Sequence, residues 1–130
     1  MHAIEKKPFG YKLTFSGLIA RDEMAAWVEE SKKALVGSPP AFGVFVDMRG
    51  LQPLDADTKG VMEEGQKLYK MKGMTRSAVV VDTATLALQF KRIAKQTGIY
   101  EWERYVDASS EPAWEKVCTD WIVNKVDPED

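Results

Sequence analysis

The order of apolar and polar positions divides the chain into short strands and helices. Residues 2–7 are predicted to form a short strand. The "PFG" that follows has turn chemistry, because Pro8 fixes φ and Gly10 accepts a positive φ. Apolar and polar side chains then alternate over residues 11–17, which indicates a half-buried strand. The first two strands are therefore predicted to pair as a hairpin.

Three more strands follow along the chain. Residues 42–48 ("FGVFVDM") and 77–82 ("SAVVVD") are continuous apolar runs bounded by turn residues, as expected of central strands that are buried on both faces. Residues 100–107 alternate again, with Tyr100 and Trp102 on one face, and this pattern predicts an edge strand or a partly exposed strand.

Helical spacing of apolar residues predicts four helices between and after these strands. In chain order they run from Arg21 or Asp22 to a stop at Gly37, from about Asp55 to Met71, from a cap at Thr83 or Thr85 to Gly98, and from a serine cap in "SSEP" at 109–112 through Ile122. The second helix contains Gly60 and Gly65, each of which costs about 1 kcal/mol relative to alanine. Two such glycines predict close packing of this helix against a neighbour.

The predicted order is β-β-α-β-α-β-α-β-α. Strands that alternate with helices favour a mostly parallel sheet with right-handed crossovers, and the hairpin makes the sheet mixed. The fold class is therefore α/β, with about five strands and four helices. A length of 130 residues fits one domain spanning 1–130, with a frayed acidic tail at 126–130.

Composition narrows the classes of function. The formal net charge is -2 and the two signs are interleaved, so we expect neither nucleic-acid binding nor attraction to a membrane surface. No stretch approaches the roughly 20 apolar residues of a membrane span, so we expect no membrane insertion. The single cysteine, Cys118, excludes an internal disulfide and is typical of the reducing cytoplasm, where we expect the protein to reside.

Several motifs, taken in this order, resemble those of the SpoIIAA-like fold. That fold is shared by STAS domains, which include anti-sigma-factor antagonists and transporter tails, and by the lipid-binding CRAL-TRIO domains. The matching motifs are "LTFSGLIARDEM" at 13–24, "VFVDMRG" at 44–50, "LDADTKGVM" at 54–62, "RSAVVVD" at 76–82 and "AWEKVCTDWI" at 113–122. The last is similar to the final helix of small stand-alone bacterial STAS-like proteins. The resemblance implies a SpoIIAA/STAS-like sheet and a non-enzymatic regulatory or binding role.

The same resemblance bears on the start of the second helix, where STAS domains carry Asp-Ser-Ser-Gly. Aligned on Asp57 and Gly60, the two serines correspond to Thr58 and Lys59. In the antagonist subfamily the second serine is phosphorylated, and a phosphate at a helix N-terminus disrupts partner docking. Lysine cannot be modified in that way, so Thr58 is the one candidate phosphorylation site in this motif.

The acidic residues of this stretch have other interpretations. Asp47 ends a central strand, where a receiver domain would carry its phospho-accepting aspartate, but the accompanying acidic pair and lysine are missing. Asp55 and Asp57 lack the ladder of oxygen ligands that calcium needs, so one of them is expected to cap the helix. Arg49 could bind an anion, but a local ion pair with Asp47 or Asp55 is favoured.

No constellation in the sequence predicts catalysis. The only histidine, His2, lies near the N-terminus, and Cys118 lies on an apolar helical stripe where a buried, inert thiol is expected. We therefore expect no catalytic residues, no cofactor and no metal. The four tryptophans are expected to pack in the core, although some could line a pocket or a groove.

The sequence thus predicts a module that binds a protein partner or a second copy of itself through the loop 48–59 and the second helix. The candidate binding residues are Asp47, Arg49, Asp57, Thr58, Lys59, Met62 and Tyr69. The alternative is a carrier or sensor of a small apolar or anionic ligand, held near the second and third helices.

Overall fold

The structure, a computed structural model, describes residues 1–129; Asp130 lies outside the described residues. Its strands are β1 (His2–Lys7), β2 (Gly10–Phe15), β3 (Phe42–Asp47), β4 (Met74–Val81) and β5 (Glu103–Asp107). Its α-helices are α1 (Arg21–Ala34), α2 (Ala56–Lys72), α3 (Ala84–Thr97) and α4 (Trp114–Asn124). The predicted α/β class, with an N-terminal hairpin and then alternating strands and helices, is confirmed.

The five strands form one sheet in which spatial order equals chain order, β1-β2-β3-β4-β5. β1 and β2 are antiparallel, and every later pair is parallel. Each parallel strand is added on the same side of the previous one, so right-handed crossovers place α1, α2 and α3 on the same face. None of the helices in residues 1–129 is both long and apolar enough to cross a membrane.

The sheet separates two apolar clusters. Val44, Val79 and Val81 belong to the larger cluster, which the three crossover helices cover. The smaller cluster contains Phe45 and Val80 from the opposite face, and α4 packs over it with a stripe of Cys118, Trp121 and Ile122. Alternation along β3 and β4 therefore sends successive side chains into different cores, as expected of strands that are buried on both faces.

α1 and α2 pack closely at Gly65. A Cβ atom at this position would lie 2.1 Å from Cζ3 of Trp27, so only glycine permits this approach of the two helices. One turn further along, Ser31 and Tyr69 share a hydrogen bond of 2.8 Å between their hydroxyl oxygens. The predicted close packing is therefore confirmed for Gly65. At Gly60 it is wrong, because a Cβ there would meet nothing within 4 Å.

Two of the three side-chain helix caps predicted from the sequence are confirmed. The Asp55 carboxylate accepts from the N–H of Thr58 and caps α2, and the Thr83 hydroxyl accepts from the N–H of Leu86 and caps α3. The predicted serine cap of α4 is wrong, since this helix begins at Trp114. The hydroxyls of Ser109 and Ser110 donate instead to the Asp107 carboxylate, and that local turn competes with a helix start.

The predicted start of the last strand is also wrong. Residues Ile99–Glu101 form a short 3₁₀ helix, and β5 begins only at Glu103. The cause lies in the contacts of Arg104, whose guanidinium carbon is 3.9 Å from the ring centroid of Tyr100 and 4.3 Å from that of Trp121. Tyr100 therefore folds back over the arginine instead of extending the strand.

The acidic tail, for which fraying over 126–130 stays a prediction, makes side-chain contacts as far as Glu129, and Asp130 lies outside the described residues. Both oxygens of the Asp127 carboxylate accept from Arg104, at 3.1 and 3.0 Å. Glu129 pairs with Lys91 and accepts from the Tyr100 hydroxyl. The last described residues therefore tie α4 to α3 and to the start of β5.

Candidate functional site

Three aspartates lie at the end of the sheet where the parallel strands finish. Asp47 ends β3, Asp82 directly follows β4, and Asp107 ends β5. Open α/β sheets bind their ligands in the loops at the carboxyl ends of their strands. We call residues 17–19, 47–59 and 82–83, which lie together there, the carboxyl-end rim.

Asp47 and Arg49 form a tight pair at the base of the rim. Asp47 Oδ1 accepts from the backbone N–H and the Nε of Arg49, each at 3.0 Å, and Oδ2 accepts from Nη2 at 2.8 Å. Burial acts to raise the pKa of Asp47, which is 5% exposed, but the hydrogen bonds and charge of Arg49 outweigh burial and hold the pKa below its usual range. Arg49 thus takes one of the two local partners expected from the sequence.

The outer side of Arg49 is covered by an aromatic ring from the other face of the sheet. Its guanidinium carbon lies 4.0 Å from the ring centroid of Trp114, the first residue of α4. Stacking on an indole and two-pronged bonding to a carboxylate both use the plane of the guanidinium. Arg49 therefore joins the loop after β3 to the start of α4, and its Nε and Nη2 donors are already engaged by Asp47.

The loop that follows is held from two further directions. The N–H of Gly50, at a positive φ of 76°, donates to the Asp82 carboxylate. On the other side, the N–H of Gly17 donates to the carbonyl of Gly50 at 2.9 Å, and the N–H of Gln52 donates to the carbonyl of Gly17 at 3.0 Å. The loop backbone is thus fixed by the segments after β2, β3 and β4.

Although its backbone is fixed, the rim exposes both apolar and polar side chains to solvent. Leu18 is 80% exposed, and Gln52 and Pro53 are exposed beside it. Asp57 and Lys59, two of the candidate residues from the sequence, also point into solvent from the first turn of α2. The rim therefore offers a rigid surface of mixed chemistry.

The other three candidate residues on α2 point inward. Thr58, Met62 and Tyr69 are buried together with Gly65, on the stripe that faces α1 and the sheet. Burial raises the pKa of Tyr69 to about 12, and its ring stacks on that of Trp27 at 5.8 Å. Tyr69 holds α1 and α2 together through its contacts with Trp27 and Ser31. A kinase could not reach the Thr58 hydroxyl in this conformation.

Two contributors to the rim were missed by sequence reasoning. Asp82 was assigned only to the end of a strand, although it follows β4 as Asp47 ends β3, and that parallel was a usable signal. Leu18 gave no signal, because its exposure depends on the path of the chain between Gly17 and α1.

Chemically, the rim has positioned charges but no reacting pair. In residues 1–129, no three histidine, cysteine, aspartate or glutamate side chains form a group that could hold a metal ion. His2 lies on β1 and hydrogen-bonds Glu23 and Glu30 of α1, so it belongs to the hairpin face and not to the rim.

Cys118 is expected to be unreactive in the native protein. It lies on the face of α4 that packs against the sheet and is fully buried there, and burial, with the nearby carboxylates Asp47 and Glu115, raises its pKa to about 12 from 9.0. At pH 8 the thiolate fraction is then lower by about a thousandfold, and labelling by a disulfide reagent should slow by at least that factor. The measurement compares native and urea-unfolded protein. Stoichiometric labelling of the native protein at the unfolded rate would contradict this.

Comparison of the chain with protein-family models, with curated proteins and with solved structures found no significant match in any of the three.

Proposed function

We propose that the chain is a non-enzymatic STAS-like binding module that engages a protein partner through the carboxyl-end rim. The observation that carries the proposal is that the carboxyl-end rim has a fixed backbone yet exposed side chains. Arg49, Gly50 and Gln52 each make bonds that fix the backbone, while Leu18 and Pro53 remain outside. A surface that is already ordered loses little conformational entropy on binding.

The partner's contacts are expected on the loop and on the first turn of α2, and no further along that helix. The exposed face of α2 beyond Lys59 is dominated by charged and amide side chains, among them Glu63, Glu64 and Lys67. The single large exposed apolar residue of this helix is Met71, near its far end. The proposed surface is therefore smaller than the one expected from the sequence.

Site-specific photo-crosslinking in the natural host tests the proposal. A photoreactive phenylalanine analogue placed at Leu18 should capture a discrete protein, which mass spectrometry then identifies. The matched control is Val36, which is 79% exposed just beyond the end of α1 and so lies at the opposite end of the sheet. Capture of the same proteins from both positions, or of none from Leu18, would contradict a partner at the rim.

A second candidate function, a carrier of a small apolar ligand, has one specific observation in its favour. α2 and α3 have no Cα atoms within 8 Å of each other, although both cover the same face of the sheet. Leu68, Leu86 and Phe90 are only partly buried against the core on this side. Native mass spectrometry of protein from its natural source would show a ligand as added mass. An unliganded mass, together with no binding of the apolar dye anilinonaphthalene sulfonate, would remove this candidate.

A further inference from the structure

β5 has an open backbone edge. The N–H of Ser77 donates to the carbonyl of Trp102, and the N–H of Ala108 donates to the carbonyl of Val81, so even-numbered residues of this segment bond to β4. The backbone groups of Tyr105, in the middle of the strand, therefore point away from the sheet. Among the described residues, no other strand pairs with that edge.

A groove of about 400 Å³ lies beside the second half of this edge, where Tyr105, Val106 and Asp107 line it. One wall is the outer side of α4, with Val117 and Asp120, and the ends are formed by the turn after Asp107 and by the tail from Val126. Val117 is half-buried and Val126 is exposed, so the groove has an apolar strip beside the free backbone. At about 3.3 Å per residue, the three residues of β5 that line the groove, Tyr105, Val106 and Asp107, present an edge of about 10 Å.

The groove is acidic. Five carboxylates line it, and no lysine or arginine does. Three of the five have a basic partner outside the lining: Asp120 with Lys116, Asp127 with Arg104 and Glu129 with Lys91. In residues 1–129 neither Asp107 nor Glu111 forms an ion pair, and both lie at the end of the groove where β5 finishes. Negative charge without a counter-charge is therefore concentrated at that end.

The other outer strand of the sheet, β1, carries basic side chains instead. β1 ends in Lys6 and Lys7, and lysines are the side chains with which natural proteins commonly guard an exposed strand edge. β5 carries no lysine, proline or β-bulge, and the tail that bonds to Arg104 through Asp127 covers only the start of its edge. The two edges of the sheet are thus not equivalent, and the part of β5 from Tyr105 to Asp107 lacks the protection that β1 has.

We propose that the β5 groove binds an extended, basic segment of a protein partner as an added strand. The backbone of the segment pairs with the N–H and carbonyl of Tyr105, an apolar side chain covers Val117 and Val126, and a lysine or arginine meets Asp107 and Glu111. Self-pairing of two β5 edges is disfavoured because it would bring two acidic grooves together. This site is separate from the carboxyl-end rim, and neither proposal depends on the other.

A synthetic peptide of alternating valine and lysine, blocked at both ends, is the probe. Titrated to about 1 mM into isotope-labelled protein, it should shift the amide signal of Tyr105 and slow hydrogen exchange there. The amide of Val106, which faces β4, should change little. The matching valine–glutamate peptide should bind at least tenfold more weakly. Equal binding of both peptides, or saturation without any protection of Tyr105, would overturn the proposal.

Two charge reversals complete the test. Glu111→Lys, in the groove, should weaken the valine–lysine peptide at least tenfold, whereas Glu101→Lys, exposed on the 3₁₀ helix outside the groove, should leave its affinity within twofold. The two variants carry the same net charge, so a general electrostatic effect would weaken both equally and would overturn the proposal. Concentration-dependent dimerisation of the native protein that protects Tyr105 would likewise overturn it in favour of self-pairing.

Discussion

Replacing Gly65 with alanine is expected to lower the free energy of unfolding by about 2 kcal/mol, although alanine is the better helix former by about 1 kcal/mol. The new Cβ would lie 2.1 Å from Cζ3 and 2.4 Å from Cη2 of Trp27. That indole is fully buried, with its ring against those of Phe15 at 5.0 Å and Tyr69 at 5.8 Å, so it has no room to retreat. α1 and α2 must therefore separate or the core must distort. Urea unfolding gives the measurement.

Gly60→Ala is the matched control in the same helix. Nothing lies within 4 Å of the added methyl group, so the helix propensity of alanine acts alone and should stabilise the protein by up to about 1 kcal/mol. Trp27→Leu should relieve the clash, which makes Trp27→Leu and Gly65→Ala non-additive in combination. If Gly65→Ala were as stable as Gly60→Ala, the close approach of α1 and α2 would be disproved.

Arg49→Ala is expected to lower the free energy of unfolding by about 2 kcal/mol at pH 7. Its removal leaves the carboxylate of Asp47 buried with neither the guanidinium bonds nor the countercharge. The value lies below the 3 to 5 kcal/mol typical of broken buried pairs, since the Arg49 side chain is 42% exposed and is partly screened by solvent. Arg49→Lys keeps the charge but loses the fork and the planar stacking on Trp114, so an intermediate loss is expected.

The loss of stability in Arg49→Ala is expected to depend on pH, and the direction follows from the pKa of Asp47. In the native protein the pKa of Asp47 lies below 3.8, so its stabilising contribution is complete above that value and is lost as pH falls through the folded pKa. In Arg49→Ala, burial without the guanidinium raises that pKa, and protonation then relieves a penalty. The stability difference between native and variant proteins should therefore shrink as pH is lowered from 7 to about 4.

A second variant separates this mechanism from a general effect of the arginine. In an Asp47→Asn background there is no buried charge, so adding Arg49→Ala should cost far less than it does in the native protein. A pH-independent loss of the same size in both backgrounds would show that Arg49 acts through its stacking on Trp114 and not through Asp47.

The sequence predicted the parts of the fold that depend on local pattern. The apolar runs of β3 and β4 and the caps Asp55 and Thr83 were recognised because strand periodicity and cap chemistry act within a few residues. The close packing at Gly65 was predicted because glycine destabilises a helix interior, so its presence there suggests that a side chain would not fit. Gly60 shows the limit of that argument, since no local signal distinguishes a glycine under a tryptophan from one facing solvent.

The candidate site was harder to predict because its geometry depends on the tertiary path. Met62 and Tyr69 were assigned to a partner surface, yet with Thr58 and Gly65 they recur at spacings of four, three and four residues. That spacing marks a single buried stripe, and the glycine in it was the usable clue. By contrast, the bond from Gly50 to Asp82 spans 32 residues, and only the assembled sheet brings the two together.

The identity of strand order and chain order bears on how the protein is made. From β3 onward, each strand leaves the ribosome after the strand with which it pairs, so contacts can form by short steps and without waiting for distant segments. α4 is the exception, because it is synthesised after the whole sheet that it covers. Until it arrives, Phe45 and Val80 have no cover on their face of the sheet. At the stage when residues up to Ala113 have left the ribosome and α4 has not, the chain therefore holds a nearly complete sheet with one apolar face uncovered, which a chaperone would recognise.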